Sequence, residues 1–196
     1  MQVPPRKEPS SLIRRLLERI EPGSARERIV IGVSLAAAGA VLILDQWTKL
    51  LVETAFRLHE SRPVIDGFFA LTYVRNLGAA WSILEGRGSL LLGIALLVLA
   101  LMLIFFRRLA EGCVERYVAI LLVGGGILGN SIDRLWRGAV VDFFDFTFGT
   151  YHYPIFNVAD CAICVGVFLY LLSSFLRKPR QPETKDDENA ETKKPA

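Results

Sequence analysis

Cysteine and histidine are scarce in this chain, and each scarcity removes a class of protein. The three cysteines, Cys113, Cys161 and Cys164, all lie in or beside apolar stretches, so no disulfide framework follows from them. Two histidines, His59 and His152, are too few and too far apart for a zinc site. No cleavable leader is expected either: residues 1–28 are polar for far longer than a signal peptide's charged region, and the apolar run behind them is long enough to span. Charge of one sign is nearly absent as a net quantity, at +3, so placement of charge carries the information.

Apolar residues are abundant. They make up 52% of the 196 residues, and the mean hydropathy of +0.38 is too high for an average soluble domain. A bilayer crossing takes about 20 predominantly apolar residues, and four runs qualify: about 29–52, 90–106, 117–135 and 158–176. The fold class expected is therefore mainly α, a polytopic membrane protein of four transmembrane helices. Three regions follow: a basic cytoplasmic segment at 1–28, a four-helix membrane domain at 29–176, and a disordered, charged tail at 177–196. In the first of these, Leu12, Leu16, Leu17 and Ile20 fall at helical spacing among arginines, a pattern for a surface-lying amphipathic helix or a solvated tail.

Sixteen of the 23 Lys and Arg residues lie in segment 1–28, in the connection after the second run (Arg107, Arg108, Arg116) and in the tail from Arg177. Lysine and arginine mark the cytoplasmic side, so both termini are expected there and the polar ends of the first, third and fourth runs face outward. The connection from Glu53 to Ser89 is long for a structureless loop. Within it Phe68–Val74 reads as strand, and Val140–Phe148 alternates similarly, so a small external sheet or cradle is expected over the polar cluster.

That cluster occupies Gly124 to Asp160. Ionisable groups are costly in hydrocarbon, so a concentration of them at the end of a span is a functional-site hypothesis by default. Asp133 beside Arg134 reads as a charge-compensated pair, with Asn130 within the same turn. Asp142, between Val141 and Phe143, has no basic neighbour within four residues, and an acid in such a setting has its pKa raised. Asp145 is its rival. Asn157 is a good N-cap for the last run, which puts Asp160 where it completes a capping box and where the helix dipole favours the ionised form. Two neighbouring carboxylates in different protonation states are what aspartic proteases use to activate water. In the first run, Asp45 and Lys49 share one helix face and neutralise each other, as a structural clamp or as part of substrate handling. Asn76 with Gly78 is either a turn or a place where a peptide approaches closely. Gly124, Gly126 and Gly129 spell a dinucleotide fingerprint, but inside a span they serve helix packing instead. Cys161 and Cys164 read as small buried hydrophobes, facing lipid or a neighbouring helix.

Taken together, DQWTK, VRNLGAAWS, GNSIDR, VVDF and FNVAD, in that order on a four-span plan, resemble the lipoprotein signal peptidase family, signal peptidase II. The resemblance covers roughly Ile29 to Leu176, with Trp81 standing where the family more often has phenylalanine. It implies Asp142 and Asp160 as a catalytic pair. It further implies Asn130, Asp133, Arg134 and Asn157 as residues that line and hold the site, with Asp45, Lys49, Asn76 and Gly78 in support. The implied substrate is a bacterial prolipoprotein bearing a diacylglyceryl cysteine, cut just before that cysteine by water, without cofactor or metal. Membrane lipids are the other expected partners; nucleic acid is not, and a monomer in the bacterial inner membrane is expected. The competing readings are a small proton-relaying transporter or channel subunit, disfavoured by the lack of an internal repeat, and a membrane acyl- or phosphotransferase, which lacks an evident nucleophile.

Overall fold

The computed structural model describes residues 24–78 and 86–177. The expected amphipathic helix near the N-terminus, Trp81 and nearly all of the charged tail lie outside them. Helix α1, Ala25–Ala55, begins at Ser24, whose hydroxyl accepts from the Glu27 amide. Strands β1 (Ser61–Ile65) and β2 (Phe69–Asn76) follow. Next come α2 (Gly88–Ile104) and the short α3 (Phe106–Ala110), which closes on Glu111 and Gly112 at positive φ. Helix α4, Val114–Trp136, leads into β3 (Val140–Phe148) and β4 (Tyr151–His152), and α5, Val158–Leu176, ends the described chain.

Among the described residues three helices, α1, α4 and α5, are long and apolar enough to cross a bilayer, whereas α2 is apolar but 17 residues long. Large apolar side chains stand exposed along these helices, among them Ile43, Leu97 and Phe168, and α2 buries none of its residues. Such a surface is stable only where the solvent is lipid. The protein is an integral membrane protein.

Helix α4 is the post on which the others lean, and three consecutive glycines explain how. Successive helical residues point about 100° apart, so each glycine meets a different neighbour. A Cβ on Gly124 would touch Leu99 and Met102 of α2. One on Gly125 would meet Ala38 of α1, 3.2 Å from its carbonyl, and one on Gly126 would stand 2.4 Å from the Ala159 carbonyl of α5. Gly166 of α5 returns the contact, its Cβ position lying 2.7 Å from the Ala119 carbonyl. Small residues at these points let helix backbones approach closely in hydrocarbon, where close packing carries association.

The four strands form one antiparallel sheet in the order β1-β2-β3-β4. The strand expected at Phe68–Val74 is β2, and the one at Val140–Phe148 is β3. Tyr73, Val141 and Phe143 pack with Val52, which seats the sheet on one end of α1. A shift in register between Leu71 and Val74 brings Val74 opposite Asp142.

Candidate active site

The polar residues of α1, α4 and α5 meet at the end of the helices that carries the sheet. At their centre is Lys49, whose side chain is 0% exposed. Its ammonium lies 2.8 Å from Asp45 Oδ2 and 2.8 Å from Asp133 Oδ2, and donates to Asn130 Oδ1 at 2.9 Å. An ammonium has three protons and no lone pair, so three acceptors satisfy it. The Asp45–Lys49 pair expected from their spacing is thus present, as part of a larger cluster.

Asp133 does not pair with Arg134 as the sequence suggested. Adjacent residues on a helix point away from one another, and Asp133 turns inward to Lys49 while its other oxygen takes Arg137 Nη1 at 2.7 Å. Asp133 Oδ2 also accepts from the Val141 amide, which fixes the start of β3 one residue before Asp142. Arg134 instead reaches the Gly78 carbonyl at 3.1 Å and the Asn130 carbonyl at 3.2 Å. Asp45 plays a second part, because its Oδ1 accepts from the Ala159 amide at 2.9 Å and so caps the first turn of α5 from α1.

Asn157 caps α5 as expected, and the reciprocal bonds with Asp160 form a complete capping box. The Asn157 side chain also reaches outward, donating to Asp142 Oδ1 at 2.7 Å and Asn130 Oδ1 at 3.1 Å. Asn130 then donates to Asp160 Oδ1 at 2.8 Å. Lysine can only donate, so the Asn130 oxygen must face Lys49 and the amide N–H is left for Asp160. Lys49 therefore sets which way Asn130 points. Asn76 donates to Asp142 Oδ2 at 3.0 Å and its oxygen accepts from the Gly78 amide at 2.9 Å, so the asparagine serves both as turn former and as partner of an acid. All ten residues singled out in the sequence belong to one hydrogen-bonded network.

Asp142 and Asp160 open onto one cavity of about 320 Å³, shared with Asn76, Asn130 and Arg134 and walled on its apolar side by residues including Ile155 and Ile163. Burial pushes the Asp142 carboxyl up to about 7; the Asp160 charge adds to the rise, against the Asn76 and Asn157 hydrogen bonds and the more distant Lys49. An acid held near neutrality beside a second carboxylate can give or take a proton at ordinary pH. Asp145, the rival, bonds instead to Thr72 Oγ1 at 2.6 Å. Cys164 is exposed and lines the cavity, so it is not the small buried hydrophobe expected.

Two contributors went unnoticed in the sequence. Gln46 donates to Asp45, Asp133 and the Gly129 carbonyl and accepts from Arg137, and Arg137 also pairs with Glu53 at 2.8 Å. The signal for Gln46 was available: an amide within an apolar run needs partners as much as a charge does.

The fold is that of a bacterial membrane enzyme. One solved structure described as a bacterial membrane enzyme shares 37% of its sequence, with a TM-score of 0.71 over 78% of this chain and 93% of that one. A second gives a TM-score of 0.67 at 39% identity, covering 76% and 95%. The signal peptidase (SPase) II family profile matches residues 37–176, and the chain belongs to that family of peptidases. Among curated relatives, the lipoprotein signal peptidase of Syntrophus aciditrophicus is 42% identical over 152 residues, 75% of this chain and 94% of that protein. That of Geobacillus kaustophilus is 46% identical over 138 residues, 70% and 90%.

Proposed function

We propose that this protein is an intramembrane aspartic endopeptidase that removes the signal peptide from diacylglyceryl-modified bacterial prolipoproteins. The observation that carries the reading is the pair of carboxylates on one buried cavity, tied together through Asn130 and Asn157. Asp160, at the helix terminus, takes a proton from water as the water oxygen attacks the scissile carbonyl carbon. Asp142, protonated below about pH 7, gives its proton to the carbonyl oxygen. The tetrahedral diol then collapses, the C–N bond breaks, and the leaving nitrogen, the α-nitrogen of the lipidated cysteine, is protonated by the same pair.

Arg134, Asn76 and Gly78 edge the cavity or its rim and hold the peptide; Asp45, Lys49, Asp133, Asn130 and Asn157 hold the acids in place. Helix α2 supplies the fourth crossing, about 25 Å long at helical rise. Both termini then lie in the cytoplasm and the cavity near the outer face of the inner membrane, where a lipid-anchored substrate arrives sideways. The enzyme acts as a monomer.

The test is cleavage of a diacylated prolipoprotein in membranes by wild type, Asp142→Asn and Asp160→Asn, each variant checked by its unfolding curve. Loss of cleavage in both folded variants is expected. Near-normal activity in either folded variant would make the pair structural, and a wild type inactive in a competent assay would return the transporter reading.

A further inference from the structure

Asp142 stands near the start of β3, and the chain that delivers it leaves α4 at Arg137, the residue that ends that helix. Gly138, at φ +75°, then turns the chain from helix to strand. Arg137 ties three elements to that turn. Its amide closes α4 on the Asp133 carbonyl at 2.8 Å. Its Nε donates to Glu53, near the end of α1, at 2.8 Å, and its Nη1 donates to Gln46 at 2.9 Å and to Asp133 Oδ1 at 2.7 Å. Its carbonyl accepts from Arg75 of β2. Only a guanidinium can do this, because its donors leave in fixed, diverging directions, whereas a lysine ammonium is a single point charge. The side chain is 19% exposed, so water and salt screen these bonds less than those of an open surface pair.

Two routes lead from Arg137 to Asp142. The first passes through Asp133, whose other oxygen accepts from the Val141 amide and so fixes the residue next to the acid. The second passes through Arg75, which stands opposite Val141 in the sheet and precedes Asn76, the donor to Asp142 Oδ2 at 3.0 Å. Arg137 itself does not line the cavity of the two acids.

We propose that Arg137 is a positioning residue for Asp142: it sets where β3 holds the acid relative to Asp160 and keeps Asn76 seated on it, without meeting substrate. The inference rests on the peptidase reading above and extends its machinery to a residue that acts through the acid. The charged groups around Asp142 are Asp160 of α5, Lys49 of α1 and Arg134 of α4, and none of them bonds to Arg137. Its partners on β2 and at the start of α5 are the neutral Asn76 and Asn157. Loss of Arg137 therefore reaches the acid mainly through Asn76. That hydrogen bond favours the ionised carboxyl, so loosening it lets Asp142 keep its proton to higher pH.

The experiment compares wild type with Arg137→Met, Arg75→Met and, as a control, Arg62→Met, which opens an exposed ion pair with Glu60 on the same sheet. Values of kcat and KM for a diacylated prolipoprotein are measured against pH at matched folded fraction, and the Asp142 carboxyl is titrated by infrared difference. In Arg137→Met, kcat should fall about tenfold or more through misplacement of the acid, with KM within about twofold of wild type. The alkaline limb and the infrared midpoint should move up together by about half a pH unit or more. Arg75→Met leaves the pairs of Arg137 with Glu53 and Asp133 in place, so it should fold even where Arg137→Met does not, and it should show the same upward shift in smaller measure. Arg62→Met should match wild type. A folded Arg137→Met or Arg75→Met whose only change is a lowered Tm would make Arg137 a structural staple and overturn the proposal, as would a raised KM at unchanged kcat. Failure of the peptidase reading looks different: wild type would not cleave, while the infrared midpoint of Asp142 would still move in the variants.

Discussion

Replacing Lys49 with methionine should be among the most damaging single changes in the molecule. Each carboxylate at 2.8 Å attracts the ammonium by about 6 kcal/mol at an effective dielectric constant of about 20. Desolvation of a buried ion costs several kcal/mol, so the net value of the cluster is much smaller than the sum. Removing the lysine, however, leaves Asp45 and Asp133 buried and facing each other without their common cation, and breaking such a cluster costs about 3–5 kcal/mol. Set against a total stability of about 5–15 kcal/mol, that loss leaves a marginal protein. Asn130 also loses the donor that fixes its amide, so Asp160 loses a defined partner. Lys49→Met combined with Asp45→Asn should recover part of the stability, because the stranded charge is gone while Asp133 keeps Arg137. The assay is equilibrium unfolding in mixed lipid–detergent micelles, followed by turnover at matched folded fraction. A loss below about 1 kcal/mol for Lys49→Met would refute the reasoning, because Asp45 would then be a buried carboxylate without a cation, while Asp133 keeps Arg137.

Other outcomes follow from the same geometry. Gly129→Ala drives a Cβ to 2.7 Å from Asp45 Oδ2 and should cost about 1–3 kcal/mol, read as a lowered Tm. Gly39→Ala meets nothing within 4 Å and should raise stability by about 0.5–1 kcal/mol. Asp142 keeps its proton in the native state up to about pH 7 but loses it near 3.8 when unfolded, so its contribution is intact below 3.8 and falls as pH climbs through 7. Wild type should therefore lose stability relative to Asp142→Asn between pH 4 and 7, by at most about 4 kcal/mol, measured by unfolding at each pH. A maleimide should label Cys164 and block cleavage, whereas Cys164→Ala should cleave normally and resist the reagent.

Much of this site was readable because hydrocarbon makes polar residues conspicuous. Asp45, Lys49, Asn130, Asp133, Asn157 and Asp160 stood out against apolar runs, and the capping box at Asn157 follows from spacing alone. Strand β3 was visible in its alternation. Strand β1 was not: SRPVI carries a proline that an edge strand tolerates and a central one does not, and its five exposed residues leave no alternating pattern. The pairing of Asp133 was misread because neighbours in sequence diverge on a helix, and its true partners lie on another turn and another helix. The separate directions of Gly124, Gly125 and Gly126 could not be known before the neighbouring helices were in place. Nor could the double use of Asp45, since capping α5 from α1 is a contact across 114 residues.

The most direct trial of the mechanism is the pH dependence of kcat/KM for a diacylated prolipoprotein, paired with infrared titration of Asp142 by difference against Asp142→Asn. Activity should fall along an alkaline limb near pH 7, and the protonated-carboxyl band assigned to Asp142 should vanish with the same midpoint. Activity that stays level while Asp142 loses its proton would contradict its role as the acid.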